Sequence, residues 1–482
     1  ILIGLVGSEM CIRDRVIAMS TKQLADFTAA LTYAALREET VRKTKQTILD
    51  WLGVCIRGSE EQPVKILRNV LLTEGEKGVS VFAKPFREAN VLNAAFCNGA
   101  ASHTLDFDDL HNASIIHLAT VVIPPVFAIG EKEHKTGKEI IAAIVAGYEV
   151  GARTGEAIIP ESYHFWHTTG TAGTIGAGAA ADSILGLDAR ATLMCLGTVG
   201  TQAAGLWEFV KEGAMSKPLH TGKGSYAAVL SAYLCREGFT GASQILEGPK
   251  GFCLAMTPQA HLEKLTEGLP EMQDALTNHT GLMHCKMDDN SYKPYSCCKH
   301  SHAAIYAIHS LAEKNHFSFK DVESIDLLVN RITDSLINNP EPQTAYGCKF
   351  SIQYCVAAML KHGRVGIEEF SPTAMQDPDV RKMMQTIHVK SDTVMQKIYE
   401  SDSTKLASNV VVYLKDGRIY SMQVDYPKGD PQNPMTWEET ADKFRSLAEP
   451  VYGAEKAEKL ISFVDTLDAC QDFAAGLRAC LA

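Results

Sequence analysis

The chain has 482 residues, of which 46% are hydrophobic and 21% are charged, the composition of a soluble globular protein. This length is too great for one ordinary domain and sufficient for two domains with a large core. The formal net charge is −11 and the sequence has no strongly basic run, so we expect no nucleic-acid partner.

The first eighteen residues differ in character from the rest. Residues 1–6 are apolar but too few to span a bilayer, and no signal-peptide cleavage region follows them. Residues 7–15 resemble translated sequencing-adaptor DNA, so we expect residues 1–18 to be a non-native leader and Met19 to be the true start. The 13 cysteines are scattered without a CxxC pair, which favours reduced thiols. We therefore expect a cytoplasmic protein without a membrane segment.

From Met19 to about residue 290 the pattern predicts one helix after another. Thr40 is expected to cap a helix that ends at Gly58, a capping box begins another at Thr136, and Asp188 caps a third. Residues 170–181 are almost entirely Gly, Ala and Thr, which predicts a tightly packed central helix. A phosphate loop is the alternative, but neither a Walker spacing nor a preceding strand supports it.

Residues 102–117 concentrate the acidic and imidazole side chains of this region. Three carboxylates and three imidazoles fall within sixteen residues, between flanks that are typical of buried helices. These are His103, Asp106, Asp108, Asp109, His111 and His117. Groups that exchange protons near neutral pH in a low-dielectric cavity are suited to acid–base chemistry on a small molecule. No HExxH or facial-triad spacing is present, so we predict no metal.

The character of the sequence changes near residue 290. Strands are predicted at 324–329 and 386–390, and an Asp-Gly turn at Asp416 predicts a hairpin of 409–414 with 418–424. Helices are predicted at 301–313 and 350–362, and the pattern is helical again from 427. The predicted fold is mainly α. It consists of a large all-helical domain formed by residues 19–290 and 427–482 and a smaller α+β lid domain at 291–426.

Three further segments carry cations or imidazoles. His167 precedes the Gly/Thr-rich helix, and Lys217 precedes a proline, which predicts a loop or turn there. Lys293, His300 and His302 lie near the predicted domain boundary, where ligand sites often form. Together with the aspartate cluster, they predict an acid–base site with cations that bind carboxylates.

These four segments, in this order, resemble the signatures of the MmgE/PrpD family, and the resemblance extends from about Ser20 to Leu481. The family includes 2-methylcitrate dehydratase, cis-aconitate decarboxylase and iminodisuccinate epimerase. The resemblance implies a helical domain with an α+β lid, a homodimer and no cofactor. It also implies the residues of the site. The catalytic residues would be Asp106, His111, His117, His167, Lys217 and Lys293. Substrate would be bound by Lys217, His220, Lys293 and His302.

The chain departs from the family pattern at two places. Leu110 stands alone where the decarboxylases and dehydratases carry Thr-Trp after the aspartate motif, and no tyrosine is present near Val329. Both departures count against a decarboxylase and leave the substrate open.

We therefore expect a cofactor-independent hydro-lyase, similar to 2-methylcitrate dehydratase, in polycarboxylate metabolism such as propionate catabolism. The lysines would bind a small di- or tricarboxylate, imidazoles would move protons, and Asp106 would orient one imidazole. A decarboxylase or a dicarboxylate epimerase could use the same site. An inactive dimeric binding or scaffold protein is the alternative of another class.

Overall fold

The computed structural model describes residues 19–402 and 404–482. The predicted leader at 1–18 lies outside the described residues. The chain divides into two compact units. Of the described residues, the first unit contains 19–104, Asp108–Asn290 and Trp437–Ala482, and the second contains Leu105–Phe107 and Ser291–Thr436. Helices predominate and the sheets are small, so the prediction of a mainly α protein is confirmed.

Helices account for most of the first unit. In chain order they are α1 Ser20–Ala30, α2 Glu38–Gly58, α3 Gln62–Leu71, α4 Val91–His103, α5 Ala119–Lys132, α6 Gly137–Glu156, α7 Ala172–Leu185, α8 Ala189–Gly200, α9 Phe209–Glu212, α10 Lys217–Arg236, α11 Phe252–Met256 and α12 Leu269–Thr277. Three more helices near the end of the chain belong to the same unit: α20 Trp437–Tyr452, α21 Ala454–Asp465 and α22 Phe473–Leu481. None of the helices in the described part of the chain is both long and apolar enough to cross a membrane.

The helices of the second unit are shorter. They are α13 His302–Asn315, α14 Arg331–Ile337, α15 Ala345–Lys349, α16 Ile352–His362, α17 Pro372–Met375, α18 Pro378–Met384 and α19 Thr393–Ser401. The strands of the chain are β1 Val79–Val81, β2 Arg87–Ala89, β3 Leu110–His111, β4 Asn290–Ser291, β5 Val322–Val329, β6 Ile387–Ser391, β7 Ser408–Leu414 and β8 Ile419–Val424.

Helix α7 packs closely against α6 in the middle of the first unit. A Cβ atom at Gly176 would lie 2.6 Å from the Gly147 carbonyl oxygen and 2.7 Å from the Gly151 Cα, so the two backbones meet directly. The small residues of 170–181 therefore serve helix packing, which confirms that prediction.

Two of the three predicted helix caps are confirmed. The Thr136 side chain accepts from the Glu139 N–H and the Glu139 carboxylate accepts from the Thr136 N–H, which is a capping box. Asp188 caps α8 through its side chain. The prediction for Thr40 is wrong, because α2 begins at Glu38. The Thr40 hydroxyl instead donates to Asp288 at 2.8 Å, a long-range contact that no local pattern reveals.

The prediction that the large domain is all-helical is wrong for the first unit, which also contains short strands. Strands β1 and β2 pair antiparallel, with Val79 opposite Ala89. The Asn98 side chain, on α4, accepts from the Phe82 N–H at 3.0 Å and donates to the Ser80 carbonyl at 2.9 Å. Strands of three residues are too short to show an alternating pattern, so the sequence gives no signal for them.

The second unit contains a mixed sheet with strand order β6-β5-β7-β8. Strands β5 and β6 are parallel, and the other two pairs are antiparallel. The β7–β8 turn contains Gly417 at a φ of 88°, as the predicted Asp-Gly turn requires. Alternate residues of β7 are buried and form a separate hydrophobic core with α13 and α16. The predicted strands are confirmed.

Candidate active site

The candidate site of the first unit begins where α4 ends. His103 is the last residue of that helix and is fully buried. Its Nδ1 atom lies 2.8 Å from Oδ2 of Asp108, which is also fully buried. The carboxylate therefore holds the imidazole of a residue only five positions earlier in the chain.

The same carboxylate oxygen holds a second imidazole. Nδ1 of His117 lies 2.9 Å from Oδ2 of Asp108 and 2.7 Å from the carbonyl oxygen of Asp109. Because a carbonyl oxygen only accepts, Nδ1 of His117 carries the hydrogen. Nδ1 of His103 likewise donates to the carboxylate. In His103, Nε2 is buried and has no hydrogen-bond partner among the described residues.

The pKa values of Asp108 and His103 show which group of this triad is charged and which is neutral. Burial alone would raise the pKa of Asp108, but His117 and His103 outweigh it and hold the pKa well below its usual range. Burial lowers the pKa of His103 to about 4, although Asp108 acts in the opposite direction. At neutral pH Asp108 is therefore an anion and His103 is a neutral base.

Asp109 has the opposite character. Burial raises its pKa to about 8. The Tyr148 hydroxyl donates to Oδ2 at 2.7 Å, and the N–H of Ala119, the first residue of α5, donates to Oδ1 at 3.1 Å. The Asp109 side chain thus connects the aspartate segment to two helices.

A second pair of imidazoles packs against the first. His167 stacks on His103 with 5.3 Å between ring centroids and 10° between ring planes. Its Nδ1 lies 3.1 Å from Nδ1 of His220, in the first turns of α10. Burial, followed by the charges of His103 and Lys217, holds the pKa of His167 well below 6.5. The site therefore contains several imidazoles that are neutral when it is empty.

Lys217 supplies positive charge beside these rings. It contributes to the lowered pKa of His103, His167 and His220. It is the first residue of α10, so the predicted loop or turn is wrong. Pro218 occupies the second helical position, where the missing N–H breaks no intrahelical hydrogen bond.

His103, Asp108 and His117 are close enough together to be considered as metal ligands. One nitrogen or oxygen from each lies within 4.8 Å of the others. Nδ1 of His117, the nitrogen that faces Asp108 at 2.9 Å, is also 2.7 Å from the Asp109 carbonyl oxygen, which requires a hydrogen on that nitrogen. A protonated nitrogen has no lone pair for a metal, so these contacts fit a hydrogen-bonded triad better than a ligand set.

His111 has different neighbours from the other predicted imidazoles. Its Nδ1 lies 2.9 Å from the Ser114 hydroxyl, and its ring is buried. The pKa of His111 is lowered by burial, with opposing charges on Glu156 and Asp289. His111 is therefore not a member of the triad of His103, Asp108 and His117, although all four residues lie in one short segment.

The second unit contains the remaining predicted residues. Nζ of Lys293 is buried and lies 3.0 Å from the carbonyl oxygen and 3.3 Å from Oδ1 of Asp106. His302 is also buried, with Nε2 3.3 Å from the Cys297 carbonyl oxygen. Burial holds the pKa of His302 well below 6.5, and the charges of Lys299 and Lys293 add to this effect.

The expected pairing of Asp106 with an imidazole differs from the structure. Asp106 bonds to the Lys293 ammonium, and Asp108 is the carboxylate that holds two imidazoles. Asp106 adopts a left-handed backbone with a φ of 56°, which aspartate tolerates better than most residues. The carboxylates of this segment are evident from the sequence, whereas the left-handed backbone at Asp106 is not.

Two central residues received no role from the sequence. His103 and Asp108 were recognised only as members of a dense cluster. The available signal was their spacing, because a histidine at a helix end and an aspartate five residues later can meet across a tight turn. Nothing in the sequence distinguishes that pairing from the other pairings that the cluster permits.

Comparison with known proteins identifies the class. The chain matches the MmgE/PrpD N-terminal domain over residues 22–265 and the MmgE/PrpD C-terminal domain over residues 295–469. The chain belongs to the MmgE/PrpD family, which confirms the resemblance.

Similar proteins are lyases by name. The cis-aconitate decarboxylase-like protein oryM of Aspergillus oryzae is 28% identical over 94% of this chain and 95% of its own length. The cis-aconitate decarboxylase of Mus musculus is 25% identical over 94% of this chain and 91% of its own length. The enzyme of the same name from Aspergillus terreus is 23% identical over 94% of each chain.

Proposed function

We propose that the protein is a cofactor-independent lyase that acts on a small di- or tricarboxylate. The observation that carries this proposal is the buried Asp108 carboxylate between the imidazoles of His103 and His117. A charged carboxylate fixes both rings as Nδ1–H tautomers and stabilises a ring that gains a proton. This arrangement supplies bases and, after protonation, acids at one place.

A polyanionic substrate would change the state of these imidazoles. Lys217 offers a charge-assisted contact to one carboxylate, and the remaining negative charge of the substrate favours protonated rings. Imidazoles that are neutral in the empty site would then be partly protonated when the substrate is bound. The site would therefore hold a proton donor when there is a substrate to protonate.

Decarboxylation of a cis-aconitate-like tricarboxylate is the first candidate reaction. The names of the similar proteins favour it, whereas the sequence departures near Leu110 and Val329 led us to expect dehydration. Loss of carbon dioxide leaves an electron pair that is delocalised toward the neighbouring carboxylate, and an imidazolium can protonate the carbon.

Elimination of water is the second candidate reaction. A neutral imidazole such as His103 can remove the α-proton of a β-hydroxy acid, and a protonated ring can protonate the leaving hydroxyl. The absence of a tyrosine near Val329, where the cis-aconitate decarboxylases carry one, counts against the decarboxylase. Removal of a proton without elimination would instead give an epimerase.

A substrate panel tests the proposal. We would incubate the purified protein with cis-aconitate, 2-methylcitrate, citrate and iminodisuccinate in D₂O and follow products by NMR and mass spectrometry. A mass loss of carbon dioxide or of water identifies the lyase reaction, and deuterium uptake without net conversion indicates an epimerase. Turnover should survive prolonged EDTA treatment. Binding of a panel acid without any turnover or exchange would favour the inactive binding protein.

The family resemblance also leads us to propose a homodimer. Light scattering on a size-exclusion column would give the mass directly, and a monomeric mass at all concentrations tested would reject this proposal.

A further inference from the structure

The hydrogen bond between His167 and His220 joins a buried imidazole to a half-buried one. The His167 side chain is almost completely inaccessible, whereas His220 is partly exposed. Their Nδ1 atoms are 3.1 Å apart. Two lone pairs would repel at this distance, so one nitrogen carries a hydrogen and donates it to the other. The two rings are therefore joined by an N–H···N hydrogen bond along which a proton can pass.

The other aromatic rings around His167 are those of His103, which stacks on its face, and of Trp207 and Phe209. The His167 ring centroid lies 4.7 Å from that of Trp207 and 6.4 Å from that of Phe209. The Trp207 indole N–H is used elsewhere, because it donates to the Trp166 carbonyl at 3.0 Å. Nε2 of His167 is buried without a partner. Nδ1 of His167 therefore bonds to His220, and Nε2 of the same ring can exchange a proton with a substrate.

Two glycines, Gly170 and Gly205, leave space for the His220 ring. A Cβ atom at Gly170 would lie 3.0 Å from Cβ of His220, and a Cβ atom at Gly205 would lie 3.0 Å from its Nδ1. Burial lowers the pKa of His220 to about 4, and the positive charges of Lys223 and Lys217 act in the same direction, so the ring readily gives up an additional proton. An imidazole with such a low pKa passes a proton on and does not hold it, so His220 is suited to proton transfer.

We propose that His220 carries protons between solvent and His167 during turnover. This inference rests on the proposed lyase function and assigns His220 a different role from the substrate binding implied by the family resemblance. His220 acts through His167 and does not need to touch the substrate.

The proton balance is simple for the decarboxylation. Water gives a proton to Nε2 of His220, the Nδ1 proton of His220 passes to Nδ1 of His167, and the Nε2 proton of His167 passes to the substrate carbon. The hydroxide left by the water combines with the released carbon dioxide to give bicarbonate. Each passage exchanges the tautomers of both rings, and rotation of the rings restores them. The proton that decarboxylation consumes therefore comes from solvent, and for dehydration the same path carries the α-proton outward.

A kinetic experiment tests this role. His220→Phe keeps a ring of similar size and removes both nitrogens. In dilute buffer we expect kcat to fall by about tenfold or more, with KM within about twofold of the wild type, because proton supply becomes limiting. Added imidazole should restore much of the lost kcat by delivering protons directly. His316→Asn, at an exposed histidine of the second unit, should show neither effect.

Two other outcomes would overturn the proposal. A raised KM without any response to imidazole would show that His220 binds substrate. An unchanged kcat in dilute buffer would show that protons reach His167 without His220. If His220→Phe does not fold, as judged by its melting temperature, His220→Gln takes its place, since glutamine is smaller and can still fill part of the polar cavity.

A measurement without turnover separates this inference from the proposed function. In protein labelled with ¹⁵N-histidine, exchange of the His167 ring N–H with solvent should be at least tenfold slower in His220→Phe than in the wild type. An unchanged exchange rate would reject the role of His220 even if the lyase is confirmed. Slowed exchange, together with a wild type that converts none of the panel acids, would reject the lyase and retain the proton path.

Discussion

Asp108 and Asp109 are adjacent and fully buried, yet their carboxyl groups hold protons to very different extents. The pKa of Asp108 is held well below its usual range because two imidazoles accompany it, whereas burial raises the pKa of Asp109 to about 8. The difference follows from their partners and not from depth, because the groups that donate to Asp109 among the described residues are a neutral hydroxyl and a backbone N–H.

This contrast makes the two aspartates a matched pair for mutation. Asp108→Asn removes the charge that orients and stabilises two imidazoles, so we expect kcat/KM to fall by about 100-fold or more in a folded protein. Asp109→Asn resembles the protonated side chain that is already present and should cost less than about tenfold. Steady-state kinetics on the substrate identified by the panel would measure both. Equal losses in the two variants would contradict the special role of Asp108.

His103 gives a prediction for the pH dependence of stability. Its pKa is about 4 in the folded protein and 6.5 in the unfolded chain, so the unfolded state binds the proton first as the pH falls. The contribution of His103 to the free energy of unfolding should therefore decrease by about 3 kcal/mol between pH 6.5 and pH 4. His103→Gln removes this dependence.

The test compares urea unfolding of the wild type and of His103→Gln at several pH values. The difference in free energy of unfolding should shift by about 3 kcal/mol in favour of the variant as the pH falls from 7 to 4. The variant His316→Asn, at an exposed position, should keep a constant difference from the wild type. A constant difference for His103→Gln would mean that this ring is not buried as a neutral base.

At the scale of helices and strands, local signals identified most elements. The capping box at Thr136 and the Asp-Gly turn before Arg418 depend on neighbouring residues alone, and both are present as predicted. Thr40 shows the limit, because it has the residue type of a cap but its hydroxyl bonds to Asp288, 248 positions away. Residues near Thr40 in the sequence give no indication of such a long-range contact.

The candidate site shows the same division. The cluster at 102–117 was evident from composition, but the choice of Asp108 over Asp106 depends on the left-handed turn at Asp106. The His167–His220 bond joins residues 53 positions apart. Residue types therefore indicated the kind of chemistry, whereas the partners follow from the three-dimensional packing.

The contact between α6 and α7 gives a prediction at the element scale. A methyl group at Gly176 would collide with backbone atoms of Gly147 and Gly151, which cannot move without shifting the helix. We expect Gly176→Ala to lower the free energy of unfolding by about 1–3 kcal/mol, even though alanine favours helix. Ser183→Ala, on the less buried side of the same helix, should change it by less than about 0.5 kcal/mol. Urea unfolding measures both, and a neutral or stabilising Gly176→Ala would show that the helices can separate.

At the scale of the whole molecule, the two units have separate hydrophobic cores. The described cysteines are all free, and all except Cys470 are buried. Those of the second unit are Cys297, Cys298, Cys348 and Cys355. The others belong to the first unit, so buried thiols mark the folding state of each unit separately.

This distribution predicts how the thiols become reactive when the protein unfolds. We expect the four cysteines of the second unit to be alkylated together, at a lower urea concentration than the buried cysteines of the first unit. The reason is that the smaller unit buries less apolar surface and is therefore less stabilised. Iodoacetamide pulses at increasing urea, followed by peptide mass spectrometry, would give a labelling midpoint for each thiol.

Cys470, which is partly exposed in the folded protein, serves as the internal standard because it should react at every urea concentration. A single midpoint shared by all buried thiols would mean that the units unfold as one. Midpoints that differ among the four cysteines of the second unit would mean that its core does not unfold cooperatively.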